Sequence, residues 1–206
     1  MADTAIAPVA AAPAEKPVDR RQAILDAAIR LVARSGLHDT PMSALAREAG
    51  VAAGTLYLYF PSKEAMLNAL YLEVLENRDR AMRGEPSTAI TPPTGADGLW
   101  NFWHALARWH LDHPDESSLL QQCQTSAILT EETRAAELRM NAEGFAEFEV
   151  AVRAGTLRPM SRQVFWALVA GPIFVLAQMR DSGEIEITED VLRATFDGVR
   201  RSVLPA

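Results

Sequence analysis

Residues 40–63 read TPMSALAREAGVAAGTLYLYFPSK. Thr40-Pro41 suggests an N-cap followed by proline at the first helical position, where the missing N–H removes no bond. Met42, Leu45, Ala46 and Ala49 then form one apolar stripe over two turns, and Gly50 ends that helix. After Val51 a second short helix carries Leu56 and Phe60 inward, and Pro61-Ser62 resets the chain for a longer helix capped by Ser62. Two helices of about two turns, joined at a glycine and apolar on their facing sides, make a helix-turn-helix. The second helix of such a pair can enter the major groove of DNA, which is wide enough for one helix.

The pattern extends in both directions. Upstream, Ile24, Ala28, Leu31 and Val32 recur at helical spacing from Asp19 to Ser35, with Gly36 as the stop. Residues 1–18 are Ala/Pro-rich without an apolar period and are expected to form a disordered arm. Downstream, Met66, Leu67, Leu70, Tyr71, Val74 and Leu75 mark the fourth helix, which turns polar from Glu76 to Arg83. The Pro/Gly/Thr-rich stretch from Gly84 to Gly95 reads as a linker. Helices are predicted beyond it at residues 97–112, 115–129, 131–154, 161–182 and 188–203. The expected fold is all-α: an arm over 1–18, a helix-turn-helix domain over 19–64 and a helical effector-binding and dimerisation domain over 65–206.

Composition narrows the function classes. Apolar residues make up 49% of the 206 and charged residues 23%, enough for a packed core. A single cysteine, Cys123, excludes an internal disulfide framework and a four-cysteine zinc module, and fits a reducing compartment. The most apolar run, Val164 to Met179, is short for a membrane span and contains Gly171, Pro172 and Gln178. The N-terminus has no basic stretch before an apolar block, as a secretory signal would. The expected location is the cytoplasm. The net charge of −7 argues against nucleic-acid binding, but residues 15–64 carry seven Lys/Arg against six Asp/Glu, whereas residues 65–206 carry thirteen against twenty. The acidic excess lies outside the helix-turn-helix.

From Thr40 to Glu64 the order T-x-x-x-x-L-A-x-x-A-G-V-x-x-G-T-L-Y-x-Y-F-x-S-K-E, behind a helix ending at Gly36, resembles the DNA-binding domain of the TetR (tetracycline repressor) family of bacterial regulators. The resemblance covers about 45 residues in unbroken order. It implies that Ala53, Gly54, Thr55 and Leu58 face the groove, and that Tyr57, Tyr59 and Lys63 meet phosphates. It also implies backbone or base contacts from Ser43, and minor-groove or phosphate contacts from Arg20 or Arg21. The sequence departs from the family's common pattern at two alanines. Ala52 cannot cap the recognition helix, and Ala53 offers only a methyl group, suited to thymine and unable to pair with guanine. An ordinary three-helix core accounts for Leu45, Ala46, Ala49, Val51, Leu56 and Phe60, but not for two tyrosines and a lysine on the outer side.

By the same resemblance, the downstream helices hold an effector pocket and a dimer interface. Trp100, Phe102, Trp103 and Trp109 crowd one helix, Phe145 and Phe148 lie on another, and Trp166 and Phe174 lie in the apolar run. A pocket lined by Leu70, Val74, Trp100, Trp103, Cys123, Phe145, Phe148, Trp166 and Phe174 is expected, with His104, Gln121, Gln122 and Ser126 as orienting groups. The alternative for each aromatic is a dry core. Helix 161–182 is apolar nearly all round, so its Phe165, Val169, Pro172, Val175 and Met179, with Leu192, Phe196 and Val199 of the final helix, are expected to meet their copies in a two-fold four-helix interface. Pro172 is expected to kink that helix. His110, His113, Asp112, Asp115 and Glu116 invite a metal reading that Pro114 disrupts, so no metal and no cofactor are expected.

The expectation is therefore a non-enzymatic, ligand-responsive repressor. It would bind a palindromic double-stranded DNA operator as a homodimer and be released by a small apolar or amphipathic effector, with no membrane partner. Two alternatives stay open: a helical dimer whose helix-turn-helix no longer meets DNA, and a metal-dependent enzyme built on the His/Asp cluster.

Overall fold

Glycine sets both corners of the N-terminal unit. Gly36 at φ 82° closes α1 (Arg20–Ser35), and its N–H donates to the Val32 carbonyl at 2.8 Å. Gly50 at φ 67° makes the turn between α2 (Met42–Glu48) and α3 (Ala53–Tyr59). A side chain at either position would meet the left-handed backbone penalty that glycine escapes. The computed structural model describes residues 20–83 and 95–205. The expected arm, the first residue of the predicted helix one and all of the linker but Gly95 lie outside the described residues.

The remaining helices are α4 (Lys63–Arg83), α5 (Gly95–Asp112), α6 (Pro114–Gln124), α7 (Glu131–Met140), α8 (Ala142–Arg153), α9 (Arg162–Asp181) and α10 (Glu189–Val203). Among the described residues there is no strand, so the fold is all-α. Two predicted boundaries are corrected by side chains that compete for backbone groups. Helix α6 stops at Gln124 because the Thr125 and Ser126 hydroxyls donate to the Gln121 and Cys123 carbonyls. The single helix predicted over 131–154 is broken at Asn141, whose amide donates to the Glu137 carbonyl. Thr130, Ser161 and Thr188 cap α7, α9 and α10 by accepting backbone N–H groups.

The helices enclose two hydrophobic interiors. The first joins α1–α3 to α4 and α6 through Ile24, Leu45, Leu56, Leu67, Leu70 and Leu119. It therefore crosses position 65, so α4 is part of the seat of the helix-turn-helix. The second gathers α5, α8, α9 and α10 around Trp103, whose indole N–H donates to the Val169 carbonyl at 2.9 Å. Helix α5 serves both, turning Trp109 to the first and Trp103 to the second. Helix α9 has the length and apolarity to cross a membrane, but it packs against α5 and α10 along one side, through Val169, Ala170, Ile173, Leu176 and Ala177. It runs through Pro172 as one continuous helix.

Candidate nucleic-acid interface and ligand cavity

The α2–α3 pair is held from below and open above. Thr40 does not cap α2 as expected: its hydroxyl donates back to the Gly36 carbonyl at 2.8 Å, and the Pro41 carbonyl accepts the first helical bonds from Ala44 and Leu45. Pro41 thus stands one position earlier than predicted, at the cap. Beyond Gly50, the Val51 N–H donates to the Ala46 carbonyl at 2.9 Å, tying the turn to α2. Ala52 leaves α3 without a side-chain cap, as its methyl group requires.

Leu56 and Phe60 seat α3 in the first interior. Tyr57, Leu58 and Tyr59 stand 52%, 86% and 43% exposed, large side chains turned to solvent on a seven-residue helix. Ala53 and Gly54 are exposed beside them, Thr55 is half-buried, and a Cβ added at Gly54 would meet nothing within 4 Å. Ser43 is exposed at the start of α2.

The cations nearby are partly engaged within the chain. Arg20 is exposed, but Arg21 donates to Glu73 at 2.8 Å, and its guanidinium lies 5.8 Å from the Phe60 ring centroid. The Lys63 ammonium donates to the His38 carbonyl at 3.1 Å, and burial draws its pKa down against the opposing charge of Asp39. Ser62 caps α4 by accepting from the Ala65 N–H at 3.0 Å, as predicted. Glu48 fastens α2 to α1 through Arg34 and Arg30, and the bond from Arg34 is the main cause of its lowered pKa.

A cavity of about 460 Å³ lies between α4, α5 and α7–α9. Of the expected pocket residues, Phe145, Phe148 and Trp166 line it. Phe165, expected at the dimer interface, lines it too and packs on Phe148 with ring centroids 5.1 Å apart. The other expected pocket residues lie elsewhere. Leu70, Val74 and Cys123 are buried in the first interior, where burial pushes the Cys123 thiol up to about 12. Gln122 is a tie between domains: its side-chain oxygen accepts from the Leu37 N–H at 3.0 Å, and its amide donates to Ser118. Gln121 reaches Ser117 at 3.5 Å, and Ser126 donates to the Cys123 carbonyl. Trp103 is fully enclosed, Trp100 packs edge-on against Phe196, His104 pairs with Glu189 at 3.1 Å, and Phe174 meets the His110 ring.

Sequence reasoning missed the polar side of this cavity. Arg78 is only 7% exposed, and two of its nitrogens donate to one Asp79 oxygen at 3.1 and 2.8 Å. Arg162 lies 3.9 Å over the Phe145 ring, and Gln124, Asn141 and Glu137 complete the polar wall. The tail of α4 is polar from Glu76 to Arg83, and a polar stretch carries no periodic signal for the helices that pack over it. A buried arginine needs a partner, and Asp79 beside it was the legible clue.

Residues 24–70 match the model of bacterial regulatory proteins of the tetR family. A solved TetR family transcription regulator from Marinobacter aquaeolei VT8 is 26% identical, over 91% of this chain and 96% of that one, with a TM-score of 0.79. Residues 24–70 thus carry the helix-turn-helix of tetR-family regulators, on a chain that shares the fold of such regulators. A TetR family regulator from Vibrio parahaemolyticus is likewise 26% identical, covering 91% of this chain and all of its own, with a TM-score of 0.71. The fatty acid metabolism regulator protein of Bacillus subtilis is 48% identical over 50 residues, 24% of this chain and 26% of that protein. The transcriptional repressor KstR of Rhodococcus jostii is 40% identical over 68 residues, 33% of this chain and 32% of that protein. The match thus spans about a quarter to a third of these curated relatives, centred on the helix-turn-helix. The relatives are transcription regulators rather than enzymes.

Four residues expected at a dimer interface belong to the chain's own core. Val169, Leu192, Phe196 and Val199 are buried in the second interior, where a second copy cannot reach them without unpacking it. Val175 is exposed, and Pro172 and Met179 are half-buried. The outward face of α9 also carries Val164, Ala167, Leu168 and Gly171, at the i, i+3, i+4 spacing of one helix side. The metal reading loses its geometry: His110 is buried with its Nδ1 2.8 Å from the Ser117 hydroxyl, while His113 is exposed near Glu116. Among the described residues no three such side chains come together.

Proposed function

We propose that this protein is a ligand-responsive transcriptional repressor that binds a palindromic DNA operator as a homodimer and is released by a small effector. The observation that carries this reading is the surface of α3, with Tyr57, Leu58 and Tyr59 turned outward on a helix seated by Leu56. An isolated subunit gains nothing from such exposure, whereas a helix in the major groove uses it. The two tyrosine hydroxyls supply hydrogen bonds to phosphates, joined by Lys63 and Arg20, while Ser43, Ala53, Gly54, Thr55 and Leu58 face the bases.

The effector is a small apolar or amphipathic molecule held in the 460 Å³ cavity against Phe145, Phe148, Phe165 and Trp166, with Arg78 and Arg162 on the polar side. The route from cavity to DNA is covalent and short. Arg78 lies on α4, whose first residue is Lys63, and Gln122 on α6 holds Leu37 just after α1. An effector releases DNA only by binding the released arrangement more tightly than the bound one. The second copy covers the face of Val164, Leu168 and Val175 on α9, setting two recognition helices at the spacing of half-sites, about 34 Å or a multiple of it. The site of action is the cytoplasm.

The test is selection of bound fragments from a random double-stranded DNA library, with Tyr57→Ala in parallel. The wild type is expected to enrich a palindrome, and the variant to bind it about tenfold more weakly, the worth of one bond to a charged group. Failure of the wild type to enrich any sequence would reject the reading in favour of a helical dimer without DNA.

A further inference from the structure

The recognition helix AGTLYLY contains no charged and no amide side chain. The side chains that pair bidentately with guanine or adenine in the major groove are arginine, lysine, asparagine and glutamine, so α3 has none of them. Its most exposed large side chain is instead an apolar one, Leu58 at 86%. Gly54, one turn earlier on the same side, leaves open space above the backbone, so a base edge can approach closely enough for the Leu58 methyl groups to touch it.

Major-groove edges differ in what they offer an isobutyl group. Guanine shows two acceptors, adenine an acceptor and a donor, and cytosine a donor; thymine alone adds a C5 methyl group. Leucine against the first three would strip water from a polar atom and return no hydrogen bond. Against thymine it buries methyl on methyl. Resting on the DNA-binding reading above, we infer that Leu58, with the Ala53 methyl group at the start of the same helix, reads thymine through the C5 methyl group, so that α3 selects its bases by apolar contact. Thr55 and the tyrosine hydroxyls supply the polar contacts around it.

Uracil isolates the methyl group, because it keeps every hydrogen-bonding atom of thymine. The probe is the fragment enriched by the wild-type protein, remade with deoxyuridine at one thymidine at a time. Affinity is expected to fall about fourfold at each thymine contacted, the worth of one buried methyl. Leu58→Ala should bind more weakly and lose that discrimination at the same position, with an unchanged melting temperature, since so exposed a side chain holds nothing in the fold. Equal affinity of wild type for thymidine and deoxyuridine at every position would overturn the inference while leaving DNA binding intact. A penalty that persists in Leu58→Ala and in Ala53→Gly would also overturn it, by assigning the methyl contact to other residues. Failure to enrich any fragment would remove both the inference and the reading beneath it.

Discussion

The interior beneath α2 and α3 is closed, mostly by aliphatic side chains with Phe60, Tyr71 and Trp109 among them, and Ile24, Leu45, Leu56, Met66, Leu67 and Leu119 are fully enclosed. The interior of α5 and α8–α10 is also mostly aliphatic at its centre, but partly buried aromatics gather at its margin and it stops short: Phe148, Phe165 and Leu157 pack on one side and face the 460 Å³ cavity on the other. Leucine, isoleucine and alanine interdigitate to crystal-like density, which gives a short recognition helix a rigid seat. Phenylalanine, tryptophan and Met82 leave broad walls and an adaptable floor, which suits a space that another molecule must fill. The two interiors thus differ in how completely they are filled: one is closed beneath the recognition helix and the other borders a cavity.

The sharpest way to break this comparison is to hollow the first interior. Leu56→Ala, at 0% exposure, is expected to cost about 2–5 kcal/mol in urea or thermal unfolding, through lost burial and the cavity left behind. A loss below about 1 kcal/mol would mean that α3 is seated by something other than this side chain.

The seam between the interiors offers a pH handle. His110 stacks edge-on against both Trp109 and Phe174, and its Nε2 is buried without a hydrogen-bond partner. Burial lowers its pKa to about 3, reinforced by the charge of Arg78. The unfolded chain takes up a proton near the ordinary value of about 6.5 while the folded chain refuses it until near 3, so stability is full above 6.5 and falls with pH through that window. The slope approaches about 1.4 kcal/mol per pH unit below 6.5. Thermal melts between pH 5 and 8 should show this decline, and His110→Gln should flatten it. An unchanged slope in the variant would assign the decline to the carboxylates.

The smallest effect is expected at the cavity wall. Leu138 is half exposed, so Leu138→Ala should change the melting free energy by no more than about 0.5 kcal/mol. A larger loss would show that the wall belongs to the core and that the two interiors differ less than their filling suggests.

Legibility followed the range of the interactions. The helix-turn-helix could be read because its signals are local: a glycine at each corner, a stripe at i and i+4, a serine before a helix. Even there Thr40 misled, since a hydroxyl that can cap forward can also donate backward, and Gly36 was the better partner. The aromatic-rich helices were legible as helices and not as a site. Trp100, Trp103 and Phe174 carry the same side-chain chemistry as Phe145, Phe148 and Trp166, and only the packing of distant helices decides which of them face a hole. Likewise Val169, Leu192, Phe196 and Val199 looked free to meet a second copy because α9 is apolar nearly all round and α10 carries an apolar stripe; the structure shows them meeting each other and α5.

The sequence by itself determined the all-α class, the helix-turn-helix and the face of α3 left without a core to enter. These rest on period, punctuation and residue type over ten to twenty positions, within which backbone geometry leaves little choice. Tertiary structure alone decided that α4 seats the recognition helix, that Arg78 enters the interior beside Asp79, and that the cavity lies against α8 rather than against Trp100 and Trp103. A cavity is the space that several helices fail to fill, and no single helix carries a record of what the others leave empty.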